Sequence, residues 1–212
     1  MIKDLIKKNI PDEWRYRIVE FKYNNFPEKI IQKWEQDGKP IPPHPVVKQK
    51  TIKEYQRRYQ YNILVETGTY LGYMVSAQKR NFDKIYSVEI SESLYKRAYK
   101  KFKRYSHIKL ILGDSGEKMA DIISEINEPA IFWLDGHYSA GITSKGELNC
   151  PIWKELDAIF TKNLPHIFLI DDARDFKGEN DYPTIKELTE YFKKKNPQYN
   201  ITVINDIIRA EL

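Results

Sequence analysis

Carboxylates stand at the ends of five short apolar runs in this chain, beside glycines, hydroxyls or a histidine. Ile63-Leu64-Val65 leads into Glu66-Thr67-Gly68-Thr69-Tyr70-Leu71-Gly72, Ile85 to Ile90 carries Glu89, and Ile108 to Leu112 leads into Gly113-Asp114-Ser115. Gly68 can take a positive φ at a tight turn, and Gly72 lets a helix start approach a ligand without a Cβ in the way. The spacing is G-x-x-x-G after a carboxylate, not the G-x-G-x-x-G of a dinucleotide turn. Glu66 would repel a pyrophosphate. It would attract a cation such as the ammonium or sulfonium end of S-adenosylmethionine. Glu89, closing the second run, suits ribose hydroxyls, and the Asp114-Ser115 turn could meet an adenine edge. Singly, each acid also reads as a solvated turn residue or a helix cap.

A second group lies further along. Ala130 to Leu134 finishes in Asp135-Gly136-His137-Tyr138-Ser139, and Ile167 to Ile170 finishes in Asp171-Asp172-Ala173-Arg174. If these runs are neighbouring strands, Asp135, Asp171 and Asp172 converge, and their repulsion requires either protonation or a cation among them. A hard divalent ion with oxygen ligands, most simply Mg²⁺, fits three carboxylates. The competing reading has Asp171 or Asp172 capping the next loop and Asp135 paired with Arg174 or a lysine. His137, two residues beyond Asp135, is placed to act as a general base on an acceptor hydroxyl. Arg174 and Lys145 could bind an anionic acceptor or be solvated surface charges. His44, His107 and His166 read as structural, and Cys150 as a small semi-apolar residue.

The elements that must position these groups alternate in type. Strands are expected at 63–65, 84–90, 108–112, 130–135 and 166–171. Helices are expected at 71–80, 92–105, 115–127, 151–161 and 183–195. That alternation predicts an α/β fold with a doubly wound, Rossmann-like sheet, mostly parallel. Ile201 to Ile204 and Ile207 to Glu211, joined at Asn205-Asp206, predict an antiparallel C-terminal hairpin that brings the sheet to seven strands. Residues 1–45 predict a helical extension ending in a connector where Pro40, Pro42, Pro43 and Pro45 exclude a helix. Residues 46–212 form the catalytic domain, opened by a helix from Val46 to Tyr59.

With 212 residues, 31% charged and 41% hydrophobic, the chain suits one α/β domain with an extension. No apolar stretch approaches the roughly twenty residues of a membrane span, and the start has no signal-peptide core, which predicts a cytoplasmic protein. One cysteine excludes an internal disulfide and a cysteine-based zinc site. The net charge of +5 raises nucleic acid as a partner. Lysines spread over helical segments read more simply as a solvated face, so nucleic acid is disfavoured.

From about Pro40 onward the chain resembles the class I S-adenosylmethionine-dependent methyltransferases, and within them the macrocin-type O-methyltransferases of sugars and natural products. The residues that carry the resemblance are Val65 to Gly72, Val88-Glu89, Leu134 to Ser139 and Ile170-Asp171-Asp172. It implies that Glu66, Thr67, Gly68, Thr69 and Gly72 line the methionine end, with Glu89 at the ribose, Asp114 and Ser115 at the adenine, and Asp135 at the cofactor edge. It further implies Asp135, Asp171 and Asp172 as metal ligands and His137 as catalytic base, although some relatives place an aspartate at that turn or a histidine slightly later. The expected activity is metal-assisted O-methylation of a small-molecule or sugar hydroxyl. An RNA methyltransferase and a non-catalytic S-adenosylmethionine-binding subunit are the alternatives. A homo-oligomer is allowed by the sequence, and residues 1–40 match no pattern.

Overall fold

The computed structural model describes residues 11–136 and 150–212, so His137, Tyr138, Ser139 and Lys145 lie outside the described residues. The chain divides into two compact units, Met1–Lys48 and Gln49–Leu212. In the first, helix α1 (Asp12–Asn25) and helix α2 (Pro27–Gln36) meet at Phe26, where Pro27, with its preset φ, opens α2. Ile31, Trp34, Val46 and Val47 form its small core, and the Trp34 indole donates to the Pro40 carbonyl at 2.9 Å. Helix α3 (Pro45–Tyr59) begins on the last proline of the connector, at a position where a missing N–H costs nothing.

The second unit is built on a seven-stranded sheet. Its strands are β1 (Ile63–Thr67), β2 (Lys84–Glu89), β3 (Ile108–Leu112), β4 (Ala130–Leu134), β5 (Ile167–Ile170), β6 (Asn200–Ile204) and β7 (Ile207–Glu211). The spatial order is β3-β2-β1-β4-β5-β7-β6, with β7 antiparallel to both neighbours and the remaining pairs parallel. Helices α4 (Tyr73–Gln78), α5 (Glu92–Phe102), α6 (Ser115–Glu125), α7 (Ile152–Ile159) and α8 (Ile185–Lys195) connect or flank them.

Alternate strand residues go to opposite faces. Val65, Val88, Phe132, Leu134, Phe168 and Ile170 pack with Met119 of α6, Leu156 of α7 and Phe192 of α8. Leu64, Ile85, Ile131, Trp133 and Leu169 pack on the other face with Ile52 of α3, Val75 of α4 and Phe102 of α5. Both faces of the inner strands are covered, which is why β4 and β5 read as unbroken apolar runs, while β3 at the edge of the sheet is partly exposed. Cys150 is buried in the first of these cores, and burial pushes its thiol up to about 12. His166 sits at the head of β5, accepts from the Ala130 N–H at 3.1 Å, and is pushed down to about 4 by burial, so it is a neutral core residue.

Helix limits differ from the expected ones mostly by a turn or less. The helix expected at 71–80 spans Tyr73–Gln78, because Gly72 takes a left-handed conformation (φ 68°) at its N-cap. The one expected at 92–105 stops at Phe102.

Candidate active site

Ligands in open α/β sheets lie beyond the carboxyl ends of the strands, where the order reverses. Here that reversal falls between β1 and β4, with β2 on one side and β5 on the other. Four acid-bearing strand ends, those of β1, β2, β4 and β5, therefore lie side by side, with Asp114 beyond β3 on the outer flank.

The turn after β1 is tied to β2. The N–H groups of Gly68 and Thr69 both donate to the Val88 carbonyl, at 3.0 and 3.1 Å. The Tyr70 N–H donates to Glu89 Oε2 at 2.7 Å, and Glu89 Oε1 accepts from the Ser91 N–H at 2.8 Å. Glu89 is thus a buried acid whose carboxyl is raised above its usual range by burial, against the lowering effect of these N–H donors. With a third backbone bond from Ile90, the four lone-pair sites of the carboxyl still leave room for a ligand hydroxyl. Gly68 has φ 86°, and a Cβ on it would stand 2.4 Å from the Asp135 carbonyl oxygen, so only glycine fits there. At Gly72, with φ 68°, a Cβ would stand 2.7 Å from the Phe102 ring, so the missing Cβ makes room for that ring. Asp114 caps α6, its Oδ1 accepting from the Gly116 N–H at 2.8 Å, and Ser115 is buried beside it.

Glu66 is not the exposed turn residue of the simplest reading, being only 1% exposed. Its Oε2 accepts from the Ser87 hydroxyl, which also meets the Thr69 hydroxyl at 2.6 Å. Burial raises its carboxyl to about 8, against the lowering effect of Ser87 and with added repulsion from Asp135 and Glu89. In the free protein it is uncharged near neutrality. Compared with an unfolded carboxyl near 4.5, the native state holds an extra proton between that value and about 8. Glu66 therefore contributes stability that is complete below the unfolded value and lost as pH rises through about 8. The non-ionising Glu66→Gln variant should lack this loss. Urea midpoints at pH 5 and pH 9 should separate wild type from variant by the equivalent of a few kcal/mol; parallel shifts in both proteins would place the proton elsewhere.

At the other pair of strand ends, Asp135, Asp171 and Asp172 offer ligand oxygens all within 4.8 Å of one another. The Asp135 N–H is held by the Thr67 carbonyl and hydroxyl at 3.2 and 3.1 Å, and the Asp171 N–H by the Leu134 carbonyl at 3.0 Å. Successive residues of a strand point to opposite faces. Asp172 instead adopts a left-handed conformation (φ 55°, ψ 48°), and this bend lets neighbouring carboxylates aim at one point. Asp171 is fully buried and Asp172 nearly so. Three hard anionic oxygens at this separation fit a small divalent cation.

Arg174, read from the sequence as an acceptor-binding charge, a solvated charge or a partner of Asp135, is held by acids of its own chain. One guanidinium nitrogen donates both to Asp172 Oδ1, at 2.7 Å, and to Asp206 Oδ2. Asp206 is a site residue that sequence reasoning missed, since at Asn205-Asp206 it read only as a turn. Glu155 is another, 1% exposed, with Oε1 about one contact distance (3.1 Å) from where a Gly136 Cβ would stand. Its signal was legible, because Ile152, Glu155, Leu156 and Ile159 form one helical stripe and an acid on an apolar stripe is a warning. Tyr182 is the third. Burial, then Cys150 and the acids Asp175, Asp172 and Asp135, raise its phenol, which marks it as a neighbour of the acidic group and a lasting donor.

No protein-family model matches the chain, and no curated protein matches its sequence. Among solved structures it is similar to TomG, an O-methyltransferase of Streptomyces achromogenes involved in tomaymycin synthesis, solved with S-adenosylmethionine. The TM-score is 0.60 at 12% identity, over 96% of this chain and 99% of TomG. An O-methyltransferase of Bacillus cereus, solved with S-adenosylhomocysteine, gives a TM-score of 0.57 at 14% identity over 88% of this chain and 90% of its own. The S-adenosylhomocysteine-bound methyltransferase PaMTH1 of Podospora anserina gives 0.52 at 16% identity over 95% and 96%. Strand order, the antiparallel C-terminal hairpin and these likenesses agree: the chain has the class I S-adenosylmethionine-dependent methyltransferase fold.

Proposed function

We propose that the protein is a cytoplasmic S-adenosylmethionine-dependent O-methyltransferase, assisted by a divalent metal, Mg²⁺ on the chemistry of the donors, and acting on a hydroxyl of a small molecule or sugar. The observation that carries this reading is the adjacency, at the switch point, of the β1–β2 turn held by Glu89 and the convergent Asp135, Asp171 and Asp172. The solved structures of similar fold support the cofactor, since they were obtained with S-adenosylmethionine or its product. Among the described residues no helix is long and apolar enough to cross a membrane.

In this reading Gly68 and Thr69 border the methionine end, Glu89 accepts from the ribose hydroxyls, and Asp114 and Ser115 border the adenine. Asp135, Asp171 and Asp172 hold the metal. When bound, the sulfonium supplies an electrophilic methyl and the metal supplies Lewis acidity at the acceptor oxygen. His137 removes the acceptor proton. Positioning of the two reactants by the strand ends supplies most of the acceleration.

Titration calorimetry tests the cofactor half of the proposal. S-adenosylmethionine or S-adenosylhomocysteine should bind, NAD should not, and Glu89→Ala should weaken binding by roughly 1–3 kcal/mol, the range for leaving buried polar partners unmet. Preference for NAD overturns the reading. Binding with no turnover under any divalent metal, on a broad set of hydroxyl acceptors, would favour a non-catalytic subunit.

A further inference from the structure

The C-terminal hairpin reaches the acidic centre from the far end of the sequence. Its turn is Asn205-Asp206, both residues left-handed (φ 54° and 61°), which is the backbone a two-residue hairpin loop requires. That turn places Asp206 against the segment after β5, with three kinds of contact. Its carbonyl accepts from the Ala173 N–H at 2.9 Å, its Oδ1 accepts from the Arg174 N–H at 2.9 Å, and its Oδ2 accepts from the Arg174 guanidinium. The Asp206 side chain is 2% exposed and that of Asp172 11%. The guanidinium nitrogen that meets Asp206 is the same one that meets Asp172. Asp206 thus orients Arg174, and Arg174 fixes the plane of the Asp172 carboxylate at the residue whose left-handed backbone creates the convergence.

We propose that Asp206 and Arg174 form a positioning clamp for Asp172, through which the β6–β7 turn sets the affinity of the metal centre. The inference rests on the reading of Asp135, Asp171 and Asp172 as metal ligands. Groups that orient a metal ligand typically change affinity 10–100-fold when altered.

Charge and geometry make opposite demands at Arg174, which is what makes the clamp testable. If Arg174 matters only as a nearby cation, removing it should tighten metal binding. If it matters as a clamp, removing it should weaken binding. Lysine keeps the charge, but its three donors rotate on a flexible stem, so they are not held in a fixed plane against both carboxylates as the guanidinium N–H groups are.

The experiment is Mn²⁺ titration of the full chain, followed by the electron paramagnetic resonance signal of free Mn²⁺, for wild type, Arg174→Lys, Arg174→Ala and Asp206→Asn. Circular dichroism checks folding, and calorimetry checks S-adenosylhomocysteine affinity. Expected is a roughly 10–100-fold weaker Mn²⁺ affinity in all three variants with cofactor affinity unchanged. Wild-type Mn²⁺ affinity in Arg174→Lys, or tighter binding in Arg174→Ala, overturns the clamp and leaves the metal reading intact. A wild-type protein that takes up no Mn²⁺ overturns the metal reading and the clamp with it. Should Arg174→Ala not fold, Arg174→Lys and Asp206→Asn decide.

Discussion

EDTA abolishes methyl transfer and Mg²⁺ restores it: that is the expected result for any hydroxyl acceptor on which turnover is observed. The effect should be complete because Asp135, Asp171 and Asp172, with oxygens within 4.8 Å of one another, repel one another when ionised and are drawn together by a cation among them. Asp171, fully buried at the end of β5, is the most sensitive of the three. Asp171→Ala should reproduce the effect of the chelator and should not respond to added Mg²⁺. Cofactor affinity should change little in either case, since Glu89 and the β1 turn lie on the other side of the switch point. Full activity in chelator would make the trio a structural cluster, neutralised by protonation and by Arg174.

Replacing His137 by alanine is expected to lower turnover by roughly 10²–10⁴-fold, the span measured for a positioned general base. His137 lies outside the described residues, but the strand end that precedes it is firmly held. Asp135 is anchored to Thr67 by its N–H and lies against Gly68, so the chain leaves the end of β4 from a fixed point beside the proposed sites of both reactants. Cofactor affinity should be unchanged in the variant. The rise of rate with pH that accompanies loss of the imidazole proton should disappear. A His137→Ala protein with wild-type turnover and the same profile would move the base to another group, with Asp172 next in line.

Much of this fold is legible in the sequence because its central parallel strands β1, β4 and β5 are buried on both faces. Ile63-Leu64-Val65, Ala130 to Leu134 and Ile167 to Ile170 have no reason to alternate with polar residues, so they stand out as apolar runs with a carboxylate behind each. The hairpin is legible for the opposite reason, since Asn205-Asp206 is turn chemistry with strand residues on both sides. The reach of Arg174 is not legible. Whether its guanidinium meets an acceptor, Asp135 or Asp206 depends on a turn more than thirty residues away (Asp206) folding back over β5, which no local pattern encodes. The state of Glu66 is similarly hidden. A glutamate followed by Thr-Gly looks like an exposed turn, and only the pairing of β1 with β2, which brings Ser87 opposite it, shows that it is sealed in. Tyr182 falls in a non-periodic loop after β5, so nothing local marks it as a neighbour of the acids.

The contact between Gly68 and the Asp135 carbonyl makes the two halves of the proposed chemistry mechanically inseparable. The turn that would border the methyl donor and the strand end that would carry the first metal ligand share one wall, with no room between them for a single methyl group. A substitution that widened the donor side would push Asp135 outward and open the metal centre in the same movement. In the proposed reading, a change of acceptor therefore has to leave this shared wall as it is.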